Sequence, residues 1–159
     1  MDDIVVRELA VEDYNGVRRV DELTQRQYRG ALWDQLPDAD KEQHLVSRWS
    51  DFAIYLKTSY CSVASIDNEI AAFLFAYEVL PFGGAIHITY IAVSPEYQGK
   101  SIVLLLYRQL IDKARRNGIA EITALINLDN PSSMKLHHKA GFVLRDRKEA
   151  KLKLSLDNV

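Results

Sequence analysis

At 159 residues, with 48% hydrophobic and 26% charged side chains, the chain has the balance of one globular domain with a single core, spanning 1–159. Its net charge of -2 is a poor match to nucleic acid, whose phosphate backbone asks for a clear basic excess. No stretch approaches the roughly 20 apolar residues that cross a bilayer, so no membrane partner is expected. A lone cysteine, Cys61, has no partner for an internal disulfide, and the start MDDIVVREL lacks the apolar run of a signal peptide. A reducing cytoplasm is the compartment these features predict.

Ile4 to Leu9, rich in Val and Ile, reads as a first strand. Glu12 and Asp13 suit a helix's first turn, and Tyr14, Val17, Val20 and Leu23 recur at helical spacing. From Thr24 to Asp40 that spacing fades into a polar and aromatic connection holding Tyr28, Arg29, Gly30, Trp33 and Pro37. A second helix is predicted with Leu45, Trp49, Phe52, Ala53 and Leu56 along one face, where Trp49 reads as core. Three strands follow on short turns as an antiparallel meander: Cys61–Ile66, Ile70–Leu80 and Ala85–Val93.

A short polar turn with Pro95, Gly99, Lys100 and Ser101 then leads into an amphipathic helix, which ends in Lys113, Arg115, Arg116 and Gly118. Glu121–Asn127 is the next strand, and its place after a strand–helix unit puts it parallel to Ala85–Val93. Asn130 and Pro131 start a last helix that runs to about Ala140, with Gly141 as its cap. Leu152, Leu154 and Leu156 alternate with Lys151, Lys153 and Ser155 as a final strand. The order is βααβββαβαβ, an α/β fold.

The turn before the long helix is the place for chemistry, because N–H groups of a strand-to-helix turn and the helix dipole converge on a phosphate. Gly99-Lys100-Ser101 matches the end of a Walker A loop, but that motif requires glycine where Ser94 and then Pro95 stand. Val93 to Ile102, VSPEYQGKSI, instead resembles the acetyl-CoA loop of the GCN5-related N-acetyltransferase (GNAT) superfamily, Q/R-x-x-G-x-G/A. Asn130, Ser133, His137, Gly141 and Phe142 fit a second motif of that family, N-x-x-[AS]-x-x-x-[YH]-x-x-x-G-F. The element order agrees over nearly the whole chain. Ser101 departs from the pattern's glycine, and Val103 from its glycine or alanine.

The resemblance implies a mostly antiparallel sheet whose central parallel pair, Ala85–Val93 and Glu121–Asn127, splays apart. It implies acetyl-CoA as cosubstrate, with Gln98, Gly99, Lys100, Ser101, Ile102 and Val103 around the pyrophosphate. Ile91, Ala92 and Val93 would lie along the pantetheine, with Asn130 and Ser133 on its far side. Lys100 is otherwise a solvated loop lysine. The activity implied is acetyl transfer to a primary amine, on a small molecule or a protein N-terminus or lysine, by direct attack on the thioester. The alternative is a catalytically inactive relative that senses CoA or serves as an interaction module.

His137 stands where many relatives carry a tyrosine as general acid. His87, Thr89 and Tyr90 occupy the strand position from which relatives often draw a glutamate base, so Tyr90 and Glu78 are candidates by position alone. Tyr28, Arg29 and Trp33 are candidates for the acceptor pocket, where an arginine would favour an acidic acceptor. His137 and His138 point about 100° apart on a helix, so they do not share a metal, and no metal is predicted. Homodimers are common in the family, but no interface is legible in the chain.

Overall fold

The computed structural model describes residues 3–154. The chain divides into two compact units, Met1–Leu125 and Ile126–Val159, each described by itself. In the first, β1 (Ile4–Glu8) is followed by four helices: α1 (Tyr14–Arg29), α2 (Ala31–Gln35), α3 (Asp38–His44) and α4 (Trp49–Tyr55). Then come β2 (Ser62–Ile66), β3 (Glu69–Glu78), β4 (Ala85–Val93), α5 (Ile102–Arg116) and β5 (Glu121–Ala124). The five strands form one sheet in the order β1-β2-β3-β4-β5. Every neighbouring pair is antiparallel except β4 and β5, which are parallel.

Alternation along the strands sends side chains to two apolar faces, each of which needs a cover. Val63, Phe73, Phe75 and Ala92 pack with Val17 and Val20 of α1 and Phe52 of α4. Fully burying a side chain such as Phe52, Phe73 or Phe75 contributes about 2–3 kcal/mol. The close approach of α1 to β3 depends on Gly16, where a Cβ would lie 2.5 Å from Ile70 Cγ1. The opposite face lies under α5, whose stripe Ile102, Leu106, Leu110 and Ala114 is buried.

Four expectations change in the first unit. The Thr24–Asp40 connection is mostly helical: α1 runs on to Arg29, and α2 and α3 follow. Its sequence hides this because α3, DADKEQH, buries no residue and so carries no apolar period. The second predicted helix begins only at Trp49, with Leu45 in extended backbone before it. Trp49 itself is 52% exposed, its ring resting edge-on against Tyr14 and stacked on Phe52 at the rim of the core. The strand predicted over Glu121–Asn127 stops at Ala124, where its pairing with β4 ends.

In the second unit, α6 (Pro131–Lys139) starts at Asn130, whose side-chain oxygen accepts the Ser133 N–H at 3.1 Å. Gly141, at φ 98°, ends it, and Phe142 N–H donates to the His137 carbonyl at 3.0 Å. The final strand is not formed over Lys151–Leu154, while Ser155 and Leu156 lie outside the described residues. Leucine alternation buries a face only against a sheet edge, and Leu152 and Leu154 are 83% and 79% exposed.

Candidate active site

The pairing of β4 with β3 is broken by one extra residue. Phe75 lies opposite Tyr90 and Ala76 opposite Ile88, so Thr89 is a bulge. The parallel ladder to β5 ends at the same place, with Ile88 opposite Ala124. A bulge bends its strand and raises the local twist, and among the described residues no strand pairing joins Tyr90–Val93 to β5.

Hydrogen bonds fix which way the remaining backbone faces. Ser94 N–H donates to the Ala71 carbonyl of β3 at 2.8 Å, whereas the Val93 carbonyl accepts from the Gln98 side chain at 3.1 Å. By alternation, the backbone groups of Ile91 and Val93 turn to the side where β5 has ended, while Ala92 faces β3 opposite Phe73. Of Ile91, Ala92 and Val93, the first and third thus turn main chain away from β3 and Ala92 does not.

The loop after β4 is a short 3-10 turn, Pro95–Tyr97, then extended Gln98, Gly99 at φ 81° and Ser101 at φ 60°, ψ 22°. Ser101, with left-handed backbone, is the residue before α5, and the first N–H groups of the helix, at Ile102 and Val103, have no partner within the helix. Nothing lies within 4 Å of where a Gly99 Cβ would stand, so the space beside Gly99 is open. Gln98 is held by a reciprocal amide pair with Gln27 of α1, at 2.8 and 3.0 Å. Its side chain therefore shapes the loop. Lys100 lies over the Tyr97 ring, 5.3 Å from its centroid. Val103 is half-buried at the edge of the stripe that α5 sends to the sheet.

On the α1 side of the sheet, Tyr90 Oη accepts from Gln25 Nε2 at 3.2 Å, and Gln25 Oε1 accepts from Arg29 Nε at 3.2 Å. Burial pushes the Tyr90 phenol up, with nearby Asp21 adding to the effect, so Tyr90 carries its proton at neutral pH. It is suited to donate a hydrogen bond or a proton, not to take one. Asp21 is fully buried, with Oδ2 accepting from Ser47 N–H at 2.9 Å and Ser47 Oγ at 2.7 Å. Beside the bulge, Thr89 Oγ1 donates to the Phe75 carbonyl at 3.1 Å, so Tyr55 Oη must be the donor in its 2.8 Å contact with Thr89.

The other candidates scatter. Glu78 lies opposite Ile86, beside the β3–β4 turn, on the sheet face opposite Tyr90 and three residues along β3 from Tyr90's partner, Phe75. Tyr28 is 77% exposed, whereas Trp33 is enclosed, with Lys41 over its ring. In the second unit, His137 is buried, and its Nδ1–H donates to the Ser133 carbonyl at 2.7 Å. A carbonyl oxygen only accepts, so that bond places a proton on Nδ1. Among the described residues no group of three or more His, Cys, Asp and Glu is placed to hold a metal. No helix of the described residues is long and apolar enough to cross a membrane.

Sequence reasoning named the loop, Ile91 and Val93 but not Tyr55 and Gln25, which bond to Thr89 and Tyr90 of β4. A signal for the bulge was present. Apolar residues fall at Ile86 and Ile88, then at Ile91 and Val93, a change of parity that one extra residue explains.

The family model described as "Acetyltransferase (GNAT) family" matches residues 17–142. The chain is 31% identical over 121 residues to the L-amino acid N-acyltransferase MnaT of Escherichia coli K12, covering 74% of this chain and 67% of that protein. It is 42% identical over 52 residues to an L-methionine sulfoximine/L-methionine sulfone acetyltransferase of Salmonella typhimurium. That match covers 33% of this chain and 30% of the relative's length. Among solved structures, the PaiA N-acetyltransferase of Thermoplasma acidophilum in complex with coenzyme A superposes with a TM-score of 0.77 at 17% identity, over 92% of this chain and 93% of that one. The aminoglycoside N-acetyltransferase AAC(6')-Iy in complex with CoA gives 0.71 at 17% identity, over 96% of both chains.

Proposed function

The chain belongs to the acetyltransferase (GNAT) family, and from that premise we propose that it transfers the acetyl group of acetyl-CoA to a primary amine by direct attack. The observation that carries the reading is the end of the β4–β5 ladder at Ile88 and Ala124, with the backbone of Ile91 and Val93 turned to that side. A pantetheine arm is thin and amide-bearing, and it takes such an edge as a further strand would. Gly99, Ser101, Ile102 and Val103 surround the pyrophosphate through main-chain N–H groups, with Lys100 adding charge from its place over Tyr97. Asn130 and Ser133 are assigned to the far side of the pantetheine. The family match at residues 17–142 crosses both compact units, which favours one functional domain over 1–159.

The chemistry needs a neutral amine, because an alkylammonium with pKa near ~10.4 has no lone pair to attack with. It also needs a donor for the developing oxyanion, which the Ile91 main chain on the open edge supplies. The leaving thiolate, with pKa around ~8.5, gains from a proton. Tyr90, as a phenol, and His137 are the proposed proton donors. Glu78 lies on the other face of the sheet, so the amine's proton is proposed to leave through a chain of water and not through that carboxylate. Arg29, with Tyr28 and Trp33, belongs to the acceptor side, and two relatives named for amino-acid acceptors support a carboxylate near Arg29. The buried thiol of Cys61 suits the reducing cytoplasm in which we place the protein.

Titration with acetyl-CoA, CoA and ATP, followed by thermal unfolding, tests the cosubstrate. A ligand at 100 times its Kd adds about 2.7 kcal/mol of stability. Stabilisation by both CoA species but not ATP is expected, followed by CoA release over an amine panel. Stabilisation by CoA with no release from any amine would turn the assignment to a CoA sensor.

A further inference from the structure

A cavity of about 240 Å³ lies between α4 and the end of β3, lined by Asp51, Ile54, Tyr55, Thr58 and Tyr77. Its lining is mainly apolar surface of Ile54 and the Tyr55 and Tyr77 rings, with the Thr58 hydroxyl beside them, and the Asp51 carboxylate is already paired with Arg48 at 3.1 Å. Ile54 and Tyr77 are 63% and 39% exposed, so two large apolar side chains face water around it. Tyr55 stacks on Phe75 with ring centroids 4.2 Å apart, and its hydroxyl holds Thr89. Thr89 is the residue at which β4 leaves β5. One wall of the cavity is therefore a single hydrogen bond from the opening where the thioester would lie.

We infer that this cavity receives the uncharged, apolar body of the acceptor, whose amine reaches on to the open edge of β4. The inference rests on the transfer reading above and names the class of acceptor. With Asp51 neutralised by Arg48, the cavity attracts apolar area and not the ammonium. Its volume is below the roughly 300–1,000 Å³ of sites that enclose drug-sized ligands. One branched aliphatic group or one ring fits it; a multi-ring glycoside does not. The acceptor is then a small amine, or an amine on a single side chain, with an apolar body.

The test titrates the CoA-saturated protein with 2-phenylethylamine and with ethanolamine, which share the amine and differ in the body. Amide NMR shifts at Ile54, Thr58 and Tyr77 are expected with 2-phenylethylamine only. Ile54→Gln, on an exposed helix position, should weaken 2-phenylethylamine five- to tenfold and change CoA and ethanolamine less than twofold. During turnover the same split should appear in KM with kcat unchanged. Shifts confined to other residues, no binding of 2-phenylethylamine, or equal loss of both amines would overturn the inference. If CoA does not bind, the transfer reading fails, and the same titration on the ligand-free protein still decides whether the cavity takes apolar amines.

Discussion

Ser101 holds a left-handed backbone, φ 60°, ψ 22°, that costs an ordinary L-residue about 1–2 kcal/mol and glycine almost nothing. This gives a physical reason for the glycine of the family pattern at this position, and it makes the serine a strained but usable substitute. Ser101→Gly should raise stability by about 0.5–1 kcal/mol, after the extra chain entropy of glycine is subtracted, with CoA affinity kept. Ser101→Val, β-branched at positive φ, should lower the urea midpoint, and Ser101→Glu should abolish CoA binding by setting a carboxylate against the pyrophosphate. Retained affinity in Ser101→Glu would place the ligand elsewhere. Asp21 gives a second prediction at this scale. Burial pushes its carboxyl up, against the Ser47 donors, so the folded chain holds that proton more tightly than the unfolded one. Its contribution is then full below the unfolded pKa near ~3.9 and is lost as pH rises through the folded value. Relative to Asp21→Asn, the wild type should gain stability as pH falls from 7 toward that window. Urea midpoints that keep a constant gap across the pH series would refute the assignment.

The bulge at Thr89 is the element on which the opening depends, and it is clamped by Tyr55 through Thr89 to the Phe75 carbonyl. Each neutral bond of this kind is worth about 0.5–1.5 kcal/mol. In a double-mutant cycle, Tyr55→Phe and Thr89→Val should therefore couple by about 1 kcal/mol, and both should lower kcat more than they weaken CoA. Independent effects would show that β4 bends without the clamp. The same strand shows what sequence could convey. Alternation and short turns marked β2, β3 and β4, and the dipole-bearing turn marked the loop, because those signals are local. The helices α2 and α3 were hidden because neither repeats an apolar face: Trp33 is the one buried residue of α2, and α3 has none. The shortened β5 was hidden because a strand ends where its neighbour bends away, which Glu121–Asn127 does not encode by itself. Gln25 and Tyr55 were illegible for a similar reason. Each acts on a residue of β4, 65 and 34 positions away in sequence.

Across the whole molecule, a chain of net charge -2 is assigned a highly anionic ligand, so the attraction must be local. The net negative balance offers no long-range steering, and the one lysine in the loop is folded over Tyr97. Under the proposed reading, main-chain N–H groups at α5's start act at contact distance, inside the Debye length of about 8–10 Å at physiological salt, and are screened weakly. Side-chain charges in solvent are screened strongly. CoA affinity should therefore fall about threefold or less between 50 and 500 mM salt, and Lys100→Ala should cost about fivefold at most. Calorimetric titration across that range checks both. A tenfold fall with salt, matched by a large loss in Lys100→Ala, would transfer the grip from the backbone of the loop to its lysine.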